Sequence, residues 1–238
     1  MSSRSQTSHS AEPVGRYLVE PKAIHFRVSK QVPESHFHVL QRMLLFLILD
    51  AAFGDRACIG SDQCLYWDPE NPRLCCAPDV VLCFGKPQRG FKSWKTWEQG
   101  IPALAVEVIS PSDSGDPPWN KKLERYRHLA VAELVRFDVD DPSAPLRIWD
   151  RAQGALTERD PASPGFSKSD VLPGHWVVVK DHHGDPWLRL ARDEAGQDLY
   201  LTKAEQAEAA QKQAEAAQKQ AEARIAELEA ELARHRKA

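Results

Sequence analysis

A glutamate stands in the middle of an apolar, β-branched run, Ala105-Val106-Glu107-Val108-Ile109. Such a run reads as a buried strand, and a lone carboxylate there is costly to bury without a partner. Any fold that accepts this strand must bring a compensating group to Glu107. A second acid, Asp79, follows Pro78 at the head of another such run, Val80 to Phe84. A lysine pair, Lys121-Lys122, follows in the next helical segment. Two carboxylates and a lysine at one spot would make a divalent-metal site beside a cation, an arrangement suited to phosphodiester cleavage.

The order of elements supports that convergence. Residues 34–53 read as a helix, with Val39, Met43, Phe46 and Leu47 at helical spacing and Gly54 as its stop. Strand text follows at 57–67, 74–84 and 103–109, then a helix at 119–130 with Leu123, Tyr126 and Leu129 inward, then a strand at 133–139. A strand–helix–strand step implies a parallel crossover. Shorter β segments follow at 146–150, 155–158, 176–179 and 187–190, with His182-His183-Gly184 as a hairpin turn. Alternation puts Glu107 on one strand face and Val106 and Val108 on the other. Magnesium favours carboxylate and water oxygens, so Asp79 and Glu107 are the candidate ligands for Mg²⁺ or Mn²⁺.

The segment 86–100 is basic and aromatic. Lys92, Trp94 and Lys95 are candidate nucleic-acid contacts by stacking and phosphate pairing, or the segment is a lid packed on the core. The formal net charge is −3, so no overall basic character advertises nucleic acid. Five cysteines without a Cys-x-x-Cys pair argue for buried strand thiols in a reducing cytoplasm, with zinc as the sharper alternative. No apolar run reaches bilayer length, so no membrane is expected. Residues 1–15 read as a disordered lead and 16–200 as one domain.

From 201 the text changes. Thr202-Lys203-Ala204-Glu205 has the form of a capping box. The unit Ala207-Glu208-Ala209-Ala210-Gln211-Lys212-Gln213 then repeats word for word at 214–220, and Ile225, Leu228 and Leu232 follow. This heptad seam is thin in apolar residues. A weak coiled coil, giving a homodimer or a protein partner, and a solvated single helix both stay open.

The segments Ala77-Pro78-Asp79-Val80-Val81, Val106-Glu107-Val108-Ile109-Ser110-Pro111-Ser112, Lys122-Leu123-Glu124-Arg125-Tyr126 and Glu133-Leu134-Val135-Arg136-Phe137-Asp138 together resemble the Uma2 family of restriction-endonuclease-like proteins. That family lies in the PD-(D/E)xK nuclease superfamily, and the resemblance spans about residues 30–200. It implies an α/β (α+β) fold with a restriction endonuclease-like α-β-β-β-α-β core, to which this chain adds a small β extension and a long C-terminal helix. It implies metal-dependent hydrolysis of DNA, with Asp79 and Glu107 as the acids and the Val108 carbonyl as a further metal ligand. The superfamily's usual lysine position holds Ile109. The matching lysine is then Lys122, with Lys121 as fallback. Glu34, His36 or His38 would complete the site from the first helix. The family often carries an Asp where this chain has Pro118, and Asp113 and Asp116 lie nearby. The alternative is a silent DNA-binding or scaffold module that recruits partners through its C-terminal helix.

Overall fold

In the computed structural model, residues 36–86, 90–109, 118–160 and 163–236 are described. The lead expected over 1–15, the candidate Glu34, and Ser110 to Pro117 with Asp113 and Asp116 lie outside them.

The central sheet has six strands: β1 (Ala57–Gly60), β4 (Val80–Phe84), β6 (Leu104–Ile109), β7 (Glu133–Asp138), β8 (Leu146–Ala152) and β9 (Ala155–Glu158). They lie side by side in that order. β4 and β6 run antiparallel, while β6 and β7 run parallel, joined through helix α3 (Trp119–Leu129). With helix α1 (His36–Phe53) ahead of them, α1-β1-β4-β6-α3-β7 is the expected α-β-β-β-α-β core. A small sheet, β3 (Cys75–Cys76), β2 (Cys64–Tyr66) and β5 (Ser93–Lys95), belongs to the α3 side. A second, β10 (Phe166–Lys168), β11 (His175–Lys180) and β12 (Pro186–Ala191), belongs to the α1 side. A single turn, α2 (Thr96–Gln99), follows β5, and α4 (Lys203–His235) ends the chain.

Two cores result. On one face of the sheet, Leu45, Ile48, Leu49 and Phe53 of α1 pack with Val80, Leu82, Val106, Val135, Trp176 and Leu190. On the other, Tyr126 and Leu129 of α3 pack with Val81, Ala105, Leu134, Trp94 and Trp149. Each large apolar side chain so buried contributes about 1.5–3 kcal/mol. The buried stripe of α1 is His38, Gln41, Leu45, Ile48, Leu49 and Phe53, not Val39, Met43, Phe46 and Leu47. Met43 and Leu47 are exposed. The helix is apolar on nearly every side, enough by length and composition to cross a bilayer, so spacing alone does not select its inner face. The sheet does, and Gln41 decides the register: its amide donates to Leu188 O (3.0 Å) and accepts from Leu188 N (2.9 Å). Gln41 thus fills a ladder position on β12, at the edge of its sheet.

The two long strands expected at 57–67 and 74–84 are each divided. Ser61-Asp62-Gln63 separates β1 from β2, with Asp62 at φ 59°, and Ala77-Pro78-Asp79 separates β3 from β4. Each run therefore serves two sheets.

The β extension is tied to the core by one buried acid. Glu133, fully buried at the start of β7, accepts from Ser169 Oγ (2.7 Å), Trp176 Nε1 (3.0 Å), Asp170 N (2.7 Å) and Arg159 Nη2 (3.3 Å). Four donors from three segments satisfy both its oxygens. The β11–β12 hairpin turns at 182–184 as expected, with Gly184 at φ 90°.

Candidate active site

Asp79 immediately precedes β4, whose register with β6 begins at Val80 opposite Val106. One step further along that antiparallel ladder, Asp79 falls opposite Glu107, and directly opposed residues share a face. That face is the one covered by α3. A break at Pro78 sets the position: a proline cannot extend the ladder, so the carboxylate emerges at the strand's head.

Both carboxylates are held by fixed donors. Asp79 Oδ1 lies 2.8 Å from His38 Nε2 of α1, and Val108 N donates to Asp79 Oδ2 at 2.8 Å. Lys122 Nζ donates to Glu107 Oε2 at 3.0 Å, and the Tyr126 hydroxyl donates to Glu107 Oε1. Lys122 and Tyr126 lie four residues apart and so share one face of α3. Glu107 is 4 % exposed, so its charge cannot be left to solvent. Burial pushes its carboxyl from the usual 4.5 up to about 7; Lys122 pulls it down, Asp79 adds to the rise, and the Tyr126 hydroxyl again lowers it. Tyr126 is itself pushed well above the usual phenol range, by burial first and then by the charge of Glu107. The Cys76 thiol is raised by burial and by Glu107.

The pose of α3 rests on its C-terminal end. Arg151 of β8 donates to the carbonyls of Arg127 (2.8 Å), Tyr126 (3.4 Å) and Val131 (3.0 Å). It thereby satisfies groups a helix end leaves open. Ala130 closes the helix at φ 64°, a left-handed conformation usually given to glycine.

The structure thus brings Asp79, Glu107 and Lys122 together and adds Tyr126 and His38. Val108 takes part through its N–H. His36 and Lys121 are exposed. Trp94 is not offered to a base: it is 3 % exposed, its Nε1 donates to Gly100 O (2.7 Å), and Phe91 packs edge-on against it. Lys95 pairs with Glu98 at 3.1 Å, and Lys92 is exposed. The described part of the segment, 90–100, is in this respect packed on the core. Sequence reasoning missed Arg136. It stands opposite Glu107 in the β6–β7 register, but its guanidinium is turned to Asp138 (2.5 Å) and the Trp119 ring (5.3 Å). Alternation along β7 was the available signal, since Leu134, on the same face, belongs to the α3-side core.

The donor set suits a hard divalent cation. Two carboxylates face one lysine, and Asp79 adds to the rise that burial imposes on Glu107. Among the described residues no three His, Cys, Asp or Glu side chains gather as a closed cage. Two carboxylates would leave the remaining coordination positions to water and phosphate, as Mg²⁺ commonly requires.

Residues 27–180 match the sequence profile of Uma2, described as "Putative restriction endonuclease". The chain belongs to the Uma2 family. Uma2 membership supports nuclease function in general terms, and restriction-endonuclease-like families generally use divalent metals. A crystal structure described as a "putative nuclease belonging to DUF820", from Anabaena variabilis, is similar over 63 % of this Uma2 chain and 75 % of that one, at 10 % identity and a TM-score of 0.38. No curated protein matches the chain.

Proposed function

We propose that this protein is a metal-dependent endonuclease that hydrolyses DNA phosphodiester bonds. The observation that carries the reading is the buried Glu107, held by Lys122 and Tyr126 with Asp79 opposite it. Asp79 and Glu107 would hold Mg²⁺ or Mn²⁺. When bound, such an ion offsets phosphate charge and makes a water more acidic.

The chain's own residues do the rest. His38 and Val108 N fix the two oxygens of Asp79, so the carboxylate is oriented in advance for the ion it would hold. Tyr126 locks one oxygen of Glu107 and leaves the group a single orientation. Lys122 keeps Glu107 ionised nearer neutral pH and supplies positive charge as negative charge builds on the phosphate oxygens. Mg²⁺-dependent cleavage of plasmid by wild type, lost in Glu107→Ala, is the expected result. Equal cleavage by both proteins would refute the assignment.

One observation favours a second reading, a DNA-binding or scaffold module without turnover. Every oxygen of Asp79 and Glu107 already has a protein partner, so the cluster is complete as an ion-pair network. A ligand bound only by the native state raises the melting temperature. The nuclease reading requires such a rise with Mg²⁺ or Mn²⁺, and the scaffold reading requires none.

A further inference from the structure

Beyond Glu205, every described residue of α4 is exposed. Among them are Ile225 (56 %), Leu228 (42 %) and Leu232 (58 %). Single surface aliphatics are ordinary. Three at spacings of three and four form one stripe, and a stripe calls for a partner. Traced back by sevens, the column of Ile225 and Leu232 continues through Gln218, Gln211 and Ala204. The column of Leu228 continues through Ala221, Ala214 and Ala207.

We propose that this stripe pairs with the same stripe of a second copy of the chain, parallel and in register. The flanking columns decide the partner and its direction. One flank holds Glu208, Glu215, Glu222 and Glu229; the other holds Lys203, Ala210, Ala217, Arg224 and, at its end, Glu231. In a parallel pair each flank faces the opposite flank of the second copy, five residues along. Arg224 then meets Glu229, and the alanines bring no like charge against Glu215 and Glu222, while Lys203 keeps its bond to Asp50. In an antiparallel pair like flanks meet. The alignment that stacks Ile225 on Leu228 then sets Glu222 against Glu229 twice, offset by Arg224 against Glu231, and leaves Leu232 facing Ala221. Only the parallel pair stacks all three large aliphatics on their counterparts.

The contacts that α4 now makes with itself are exchangeable. Gln211 bonds to Glu215 and Gln218 to Glu222, each at 2.8 Å, and Arg224 pairs with Glu227 at 2.5 Å. All are exposed, and exposed pairs of this kind are weak. In the pair, Gln211 and Gln218 face their own counterparts across the axis, a polar pairing that lowers stability and fixes register. The apolar layers lie at the far end of the helix, some 23 residues or about 35 Å beyond Thr202, so the joint forms away from the folded core. Parallel helices put both domains at one end of the stalk, where two Glu107 sites can act on one duplex. That consequence rests on the nuclease reading; the pairing does not.

Sedimentation of the full chain tests it, over a range from about 1 to about 200 µM, because dimer population follows protomer concentration. Wild type should pass from one to two chains in mass, and Ile225→Asp with Leu232→Asp should remain a monomer throughout. These residues touch nothing in the core, so the domain's melting temperature should not move. Orientation is read by mild oxidation of Leu228→Cys, which should give a disulfide-linked dimer that neither wild type nor Ala226→Cys gives. A wild type that stays monomeric, a dimer that survives both aspartates, or a dimer that Leu228→Cys fails to link would each overturn the proposal. None of these measurements reads cleavage, so the pairing and the nuclease activity fail separately.

Discussion

Replacing Glu107 by glutamine should make the metal-free protein more stable relative to wild type as pH rises. Burial pushes the Glu107 carboxyl from 4.5 to about 7 in the folded protein. A carboxyl raised in this way contributes its full stability below the unfolded value and loses it as pH climbs through the folded one. Each tenfold change in proton affinity is about 1.4 kcal/mol, so the ionised side chain costs the fold roughly 3 kcal/mol by pH 8. Glutamine never ionises and carries no such cost. It also loses the attraction to Lys122, but that attraction acts on the ionised carboxylate and is already counted in the value of about 7. The stability difference, variant minus wild type, should therefore climb by roughly 3 kcal/mol between pH 5 and pH 8. For a domain of this size that is about 6–12 °C in Tm. Thermal unfolding in EDTA at several pH values measures it, and Mg²⁺ at pH 8 should then raise wild type alone. A difference that stays flat with pH would show that Glu107 is not a buried acid under charge stress, and the site argument would fail with it.

Other sites give independent checks. Asp79→Ala removes the acceptor of Val108 N–H, a fully buried residue, and should cost about 1–3 kcal/mol in urea unfolding and abolish any metal-induced stabilisation. Glu133→Ala strips the acceptor from Ser169, Trp176 and Arg159 and should cost about 3–5 kcal/mol, with amide exchange accelerated first across 166–191. Ala130→Gly relieves the left-handed closure of α3 and should stabilise by about 0.5–1 kcal/mol without loss of activity; a destabilised variant would contradict the φ of 64°.

Much of the fold was legible because several signals agreed. The acid in the β6 run, the proline ahead of Asp79 and the Lys122/Tyr126 spacing each restrict one element, and together they define one face of one sheet. The Thr202 box was equally local: its hydroxyl accepts from Glu205 N (3.1 Å), and Glu205 Oε2 accepts from Thr202 N (2.7 Å). What stayed hidden depends on partners far along the chain. The inner face of α1 is chosen by Leu188, 147 residues away, and no spacing rule applies to a helix that is apolar all round. Trp94 reads the same in sequence whether it caps the core or meets a base; the acceptor at Gly100 O decides. His38 was indistinguishable from His36 until α1 was set against the head of β4.

The first turn of α4 governs far more than its own stability. Arg189 grips Glu205 through two nitrogens, at 2.9 and 3.2 Å, and Lys203 reaches Asp50 on α1 at 2.8 Å. These few bonds aim a rod of 33 residues, about 50 Å long. A tilt of about 5° at the base swings the tip by about 4 Å over that length. Conservative changes at Lys203, whose side chain is exposed, can therefore leave the domain's interior untouched while redirecting whatever the far end touches.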